Sequence, residues 1–286
     1  MSKPNTATRG GPGQGPPRGQ GLIYRSQFLN PKARARFLDE LKAYHPIWEQ
    51  RFSESNPPPE GQSQRRLLRP VYWLGNWQFA CLNYYHPPKG LDFRCVRAEP
   101  FPPFMQSIVN EIQTMVRGHF PAKDVPRDWE LNTCLVNYYG SQVSPDGRRE
   151  DVARVGEHKD FEPGPVASIS FGDRALFQFV SSQGKQSRSQ VVLQQWLEDS
   201  SLQIFGGDRF KKHLFHRVQR VEDKRGERFD TYTGDFETRR LNLTFRYVPR
   251  DHIQPFARFP KHLQEDIKPY VAELGKTSAF FKDLLA

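Results

Sequence analysis

Two residues of the segment GEHKD (156–160) have the side chains and the spacing of metal ligands. His158 and Asp160 are two positions apart, so in an extended strand both side chains point to the same face. They offer one imidazole nitrogen and one carboxylate oxygen to a common point. A second histidine would complete the set of two histidines and one carboxylate that holds Fe(II) and leaves positions open for oxygen and substrate. The H-x-D spacing alone is weak evidence, because it also occurs by chance on protein surfaces.

The segment KHLFHRV (212–218) supplies two candidates for the second histidine. His213 and His216 are three positions apart, so in a strand they point to opposite faces and only one can be a ligand. His216 alternates with Leu214 and Val218, which fits an inward-facing position. The residue pattern favours His216 and leaves His213 as the alternative.

The segment RRLNLTFRY (239–247) has a polar and an apolar face when it is read as a strand. Arg240 and Arg246 lie about 20 Å apart along the polar face, too far for their backbones to grip a small diacid. Their side chains can lean inward, and each offers a bidentate fork to a carboxylate. A solvated polar face over a buried apolar face explains the same pattern. The polar face carries Arg240, Asn242, Thr244 and Arg246, and the apolar face carries Leu241, Leu243, Phe245 and Tyr247.

A further polar pair stands in the segment LVNYY (135–139). Asn137 and Tyr139 share one face of a strand and could add an amide and a phenol to an anion site. Hydrogen bonding at a strand edge explains the pair equally well.

The composition narrows the class of protein. The chain has 286 residues, with 42 Lys and Arg against 32 Asp and Glu, which gives a net charge of +10. Such a surplus favours an anionic partner: nucleic acid, an acidic membrane surface or a charged metabolite. The mean hydropathy of −0.74 and the lack of a long apolar run exclude a transmembrane helix. No signal segment is visible and the cysteine count of 3 is sparse and odd, so we expect a cytoplasmic, nuclear or nucleoid-associated protein that is not secreted.

The chain divides into four stretches by pattern. Residues 1–21 are rich in Gly, Pro and Gln, which predicts a disordered tail. Residues 22–128 contain two helical patterns, one of them beginning at the N-cap candidate Asn30. Short strand patterns dominate residues 129–250, and residues 251–286 are predicted to form a helical extension. Many short strands after two helices predict a mainly β fold, a sandwich or jelly roll with flanking helices.

Taken together and in this order, these segments resemble the AlkB family of Fe(II)- and 2-oxoglutarate-dependent dioxygenases. The last segment is the most specific, because family members carry R-x-N-x-T-F-R there. The resemblance implies a double-stranded β-helix, a jelly-roll variant, over residues 129–250, with residues 22–128 forming helices and a substrate lid packed on it. The segments that carry it are NYY (137–139), VGEHKD (155–160), SISFG (168–172) and RLNLTFR (240–246).

The same resemblance implies the ligands of the site. Fe(II) would be held by His158, Asp160 and His216, with His213 disfavoured by the family's register. Arg240 and Tyr139 would hold the distal carboxylate of 2-oxoglutarate, the cosubstrate. The keto-acid end, which chelates the iron, would be supported by Asn137, Asn242 and Arg246.

The implied reaction consumes dioxygen and 2-oxoglutarate, releases succinate and CO₂, and hydroxylates a C–H bond of the substrate. On an N-methyl group, the hydroxylated product collapses and releases formaldehyde. The resemblance implies repair of alkylated bases in DNA or RNA, with the base extruded from the stack. Trp73 would stack on that base, and Glu162 would lie near it.

Two other functions remain open at this stage. The same cofactor chemistry could act on a protein side chain or a small molecule, or the chain could be a non-catalytic nucleic-acid-binding module. Insertions at 76–100, 140–150 and 222–237 flank the mouth of the expected site and bear on the substrate class. The sequence does not indicate which oligomeric state the protein has.

Overall fold

The fold is taken from a computed structural model of the chain. It describes residues 21–49, 60–61, 67–78, 95–143, 146–151, 155–181, 189–219 and 227–284. The predicted tail lies outside these ranges except for Gly21, as do parts of the three predicted insertions and Cys81.

The strands form two antiparallel sheets and a short two-stranded ladder. The larger sheet has the order β1-β11-β8-β13-β5-β2, with β6 also paired to β5, and the smaller sheet has the order β10-β9-β12-β7. This arrangement confirms the predicted mainly β, jelly-roll fold. The strands are β1 (Leu22–Arg25), β2 (Val71–Leu74), β3 (Asn76–Trp77), β4 (Val96–Arg97), β5 (Thr133–Val143), β6 (Arg149–Asp151), β7 (Val155–His158), β8 (Val166–Gly172), β9 (Ala175–Ser181), β10 (Gln190–Leu197), β11 (Ser201–Phe205), β12 (Phe215–Gln219) and β13 (Phe236–Arg246).

Four α-helices cover one face of the larger sheet: α1 (Pro31–Leu41), α2 (Pro103–His119), α3 (Lys261–Leu274) and α4 (Ala279–Leu284). The predicted N-cap of α1 is confirmed, because Asn30 Oδ1 accepts a hydrogen bond from Ala33 N at 2.9 Å. Glu40 of α1 in turn accepts from backbone N–H groups in the first turn of α2. Within the described part of the chain, the helices are too short or too polar to cross a lipid bilayer.

Strand β13 has one apolar and one polar face in the larger sheet, as its sequence pattern predicts. Leu241, Leu243 and Phe245 are buried in the core against the helices. The alternate residues of the strand line a cavity on the opposite face. A second apolar cluster fills the rest of the space between the sheets, with Phe177 and Phe179 packed on Phe205. The polar residues of the cavity are therefore enclosed by apolar packing.

Several boundaries differ from the predicted ones. In the segment KHLFHRV (212–218) the strand begins only at Phe215, because His213 ends a π-helical turn, Arg209–His213. Helix α2 ends at His119, one residue after Gly118. Strand β13 begins at Phe236, upstream of the segment RRLNLTFRY (239–247), because charged side chains hide this first part from a hydrophobicity pattern.

Two of the three cysteines lie in the described part of the chain, and both are buried free thiols. Cys134 belongs to β5, and Cys95 immediately precedes β4. Burial raises the pKa of Cys95 to about 12 and that of Cys134 well above its ordinary value. Both thiols therefore stay protonated at neutral pH.

Glu49 is a carboxyl group enclosed in the core beside β2. Its Oε1 accepts hydrogen bonds from the indole Nε1 of Trp73 at 2.8 Å and of Trp77 at 2.9 Å. Burial raises the pKa of Glu49 from its ordinary value of 4.5 to about 7, and the two indole bonds and the charge of Arg69 oppose this rise only in part. The ionised form is thus the unfavourable one in the folded protein.

We expect the stability of the native chain, relative to a Glu49→Gln variant, to fall as the pH rises from about 4.5 to 7. In this window the unfolded chain has already released the proton that the folded chain still holds, so deprotonation favours unfolding. The accumulated difference is at most about 3 kcal/mol. Urea unfolding of both proteins at pH 5 and pH 8 measures it, and a stability difference that is the same at both pH values contradicts it.

Gly140 lies on β5, where this strand pairs with the first part of β13. A Cβ at this position would overlap the backbone carbonyl of Glu237. The pairing register of β13 with β5 shifts just beyond this point, between Thr238 and Arg240. Glycine thus permits the close approach that brings Arg240 opposite its partner on β5.

Gly140→Ala is expected to lower the free energy of unfolding by about 2 kcal/mol or more, because the methyl group meets backbone that cannot move aside. The matched control is Gly118→Ala, at a helical position where a Cβ meets no atom within 4 Å. This control should stabilise the chain by about 0.5–1 kcal/mol. Urea unfolding of the two variants compares them, and equal effects would show that Gly140 has no special packing role.

Candidate active site

A polar cavity opens between the two sheets, with a volume of about 510 Å³ including the part open to solvent. Eight of the ten site residues predicted from the sequence line it, and they converge on it from four strands and one loop. The two exceptions are Trp73 and Glu162. The polar lining comprises Arg69, Asn137, Tyr139, His158, Asp160, Ser168, His216, Arg240, Asn242, Thr244 and Arg246.

Three of these residues form a group with the geometry of a metal site. His158 of β7 and His216 of β12 are directly opposite each other in the antiparallel register. Asp160 follows β7 by two residues, and one ligand atom from each of the three lies within 4.8 Å of the others. Asp160 Oδ2 is 3.4 Å from His216 Nε2. His213, the alternative, is exposed on the π-helical turn and lies outside this group.

Hydrogen bonds to neighbouring groups orient the triad for a metal. His158 Nδ1 lies 2.8 Å from Gly156 O and donates to it, which places the lone pair of the ring on Nε2. Arg246 binds Oδ1 of Asp160 through Nε and Nη2, at 2.8 Å each. The buried Oδ2 has no hydrogen-bond partner among the described residues. This orphaned oxygen beside two imidazoles fits a bound divalent ion such as Fe(II).

The protonation states of the triad suit a metal as well. Burial lowers the pKa of His216 well below its ordinary value, and the nearby charge of His158 lowers it further. Burial also lowers the pKa of His158, against the charge of Asp160. Burial would raise the pKa of Asp160, but the positive charge of Arg246 outweighs it and holds that pKa well below its usual range. At neutral pH the site presents two neutral imidazoles and one carboxylate, so a metal need displace no proton.

An anion pocket lies next to the triad, built on the pairing of Arg240 with Tyr139 across β13 and β5. The guanidinium of Arg240 lies 4.8 Å from the centre of the Tyr139 ring, and its Nη2 donates to Ser170 Oγ at 3.1 Å. Arg240 is only 4% exposed, yet its Nε and Nη1 have no hydrogen-bond partner among the described residues. Buried, unpaired donors on a cation favour an anionic ligand.

The two asparagines lie side by side between this pocket and the triad. Asn137 and Asn242 are opposite each other in the β5–β13 register. Asn242 Nδ2 donates to Ser170 Oγ at 3.2 Å, and Asn137 Oδ1 accepts from Arg69 Nε at 2.7 Å. Both side chains are thus fixed by neighbours while they line the cavity.

Arg246 and Glu162 form the support behind the triad. Arg246 Nε is 3.4 Å from Glu162 Oε1 as well as bound to Asp160. Glu162 is buried, accepts a hydrogen bond from Gln78 Nε2 at 3.0 Å, and is not among the residues that line the cavity. The structure therefore places Arg246 between two carboxylates, with Asp160 in the triad and Glu162 outside the cavity lining.

Trp73 is not available where the resemblance puts it. It pairs with the cavity residue Leu135 across β2 and β5, but it is only 2% exposed and its N–H is bound to Glu49. No face of the indole is open for a base to stack on. This corrects the expectation drawn from the resemblance, because the sequence position of Trp73 does not show which residues pack over its ring.

Two features of the site have no counterpart in the sequence-based prediction. Arg69 reaches the cavity from the residues before β2. Phe177 stacks on the His216 ring, with centroids 5.3 Å apart and planes at 14°. The sequence around Arg69 does not mark it as a site residue. Its place near the site becomes visible only from the pairing of the nearby Val71 with Asn137.

The family model described as the 2OG-Fe(II) oxygenase superfamily matches residues 21–246. No curated protein sequence matches the chain. Among solved structures, the chain is similar to OsALKBH1, with 20% identity over 79% of this chain and 97% of that one and a TM-score of 0.44. It is also similar to a full-length Neurospora crassa protein in complex with alpha-KG, with 12% identity over 80% and 76% of the two chains and a TM-score of 0.41.

The match of the family model covers more than half of the chain. Its residues include the triad and the site arginines Arg240 and Arg246 of β13. The chain therefore belongs to the 2OG-Fe(II) oxygenase superfamily and is an enzyme that uses Fe(II), 2-oxoglutarate and dioxygen.

Proposed function

We propose that the chain is an AlkB-like dioxygenase that removes alkyl groups from bases of nucleic acid. The observation that carries this proposal is the convergence on one cavity of the segments that resemble the AlkB family, from N-x-Y on β5 to R-x-N-x-T-F-R on β13. The net charge of +10 supports a polyanionic substrate.

In this proposal His158, Asp160 and His216 hold the iron. Bound Fe(II) and 2-oxoglutarate supply the oxidation of a substrate C–H bond by dioxygen, with release of succinate and CO₂. Arg246 keeps Asp160 ionised and turns its Oδ2 toward the two imidazoles. The apolar contacts of Phe177 and Phe205 with the His216 ring limit water around the ligands.

Arg240 and Tyr139 hold the distal carboxylate of the cosubstrate in the same proposal. Asn137 and Asn242 lie nearer the triad and support its keto-acid end. Arg246 acts on that end through Asp160. This order along the cavity follows the β5–β13 register, in which the Arg240–Tyr139 pair and the Asn242–Asn137 pair are successive cavity-facing pairs.

A second candidate keeps the cofactor chemistry but acts on a protein side chain or a small molecule. The enclosure of Trp73 favours it, because the aromatic platform expected for an extruded base is covered. A non-catalytic nucleic-acid-binding module is disfavoured, since such a module has no need for an ordered triad.

We expect Asp160→Asn and His216→Ala to lower iron affinity and 2-oxoglutarate-dependent succinate formation by about 100-fold or more, because each removes a metal ligand. Anaerobic Fe(II) titration by calorimetry and a succinate assay measure the two effects. His213→Ala is the matched control and should leave both unchanged, since His213 is exposed and outside the triad. Normal iron affinity in His216→Ala would contradict the assignment.

The substrate proposal is tested with single- and double-stranded DNA and RNA oligonucleotides that carry N-methylated bases, scored for formaldehyde. We expect turnover on at least one of them, with an apparent KM that rises steeply with salt because phosphate contacts release counterions. Methylated peptides and free methylated nucleosides serve as the comparison. Turnover of these alone, with none on the oligonucleotides, would establish the second candidate.

A further inference from the structure

Arg69 places a second guanidinium group over the anion pocket. It lies just before β2 and lines the cavity. Its Nε donates to Asn137 Oδ1 at 2.7 Å, and its guanidinium carbon is 5.3 Å from the centre of the Tyr139 ring. The guanidinium carbon of Arg240 is 4.8 Å from the centre of the same ring. Two arginines from distant parts of the chain therefore meet at one tyrosine.

Neither of these two arginines has a direct ion-pair partner among the described residues, although Arg69 acts at a distance on Glu49 and Asp173 on Arg240. Arg246 is neutralised by Asp160, but neither Arg69 nor Arg240 forms an ion pair with a carboxylate among the described residues. Burial lowers the pKa of Arg240 and the positive charge of Arg69 lowers it further, while Tyr139 and the carboxylate of Asp173 oppose this only in part. Two cations without a direct carboxylate partner in one partly enclosed cavity are costly unless an anion joins them.

We infer that Arg69 is a cosubstrate-binding residue that grips the distal carboxylate of 2-oxoglutarate together with Arg240 and Tyr139. The Nε of Arg69 is engaged by Asn137, which fixes the plane of the guanidinium and leaves its two Nη groups for the ligand. The inference rests on the proposed placement of the distal carboxylate at Arg240, and not on the proposed nucleic-acid substrate.

With this assignment, the chain segment just before β2 contributes a residue that selects the cosubstrate. A keto acid that lacks the second carboxylate would leave both cations unpaired, so the pocket should reject it strongly. Arg69 makes the selection depend on the chain segment that leads into β2, outside the strands that carry the recognised motifs.

The test is calorimetric titration of the full chain, loaded with Mn(II), by 2-oxoglutarate and by 2-oxopentanoate, which lacks the distal carboxylate. Arg69→Gln should weaken 2-oxoglutarate binding about tenfold or more, since a charge-assisted hydrogen bond is lost. Binding of 2-oxopentanoate should change by less than about twofold. Arg69→Lys, which keeps the charge, should recover part of the loss. Arg25→Ala removes an exposed arginine at the end of β1 and is the control.

Three results would overturn the inference. The first is unchanged 2-oxoglutarate affinity in Arg69→Gln. The second is an equal loss for both keto acids, which would mean a general effect on pocket shape. The third is no recovery in Arg69→Lys when thermal unfolding shows that both variants are folded. Because the titration contains no nucleic acid, absence of demethylation activity would refute the substrate proposal and leave this test intact.

Discussion

The pairing of β12 with β7 is the constraint on which the site depends. It sets His216 directly across from His158, and Asp160 then needs only two further residues to reach the same point. Because side chains alternate along a strand, a slip of one residue would turn His216 to the opposite face. Phe177 and Phe205 pack on the His216 ring and hold it in this orientation. The geometry of the candidate metal site is thus set by strand register and apolar packing.

Charge compensation divides the arginines of the cavity into two groups. Arg246 is satisfied by Asp160 and Glu162 within the protein, so in the proposed mechanism it orients the carboxylate of Asp160. Arg240 is buried without an anionic partner among the described residues, and burying such a group costs free energy of folding. A fold that tolerates this cost keeps donors fixed for a ligand that arrives later, which is how preorganised sites gain affinity.

The sequence predicted the features that depend on local alternation. The two faces of β13, the common face of Asn137 and Tyr139, and the inward position of His216 all follow from the two-residue period of a strand. The resemblance added the order of the motifs and the jelly-roll fold. Features set by contacts between distant segments were not predictable in this way. Arg69 reaches Asn137 across 68 positions of sequence, and no pattern around it marks that contact.

The protected state of the cysteines has a consequence for an enzyme that combines iron with dioxygen. Such a centre can release peroxide or radicals when turnover fails, and thiolates are the side chains these species attack first. Cys134 lies on the strand that also carries Asn137 and Tyr139, but its raised pKa and burial keep the sulfur protonated and out of reach. Burial and protonation therefore shield both described thiols from reactive oxygen species that such a centre releases.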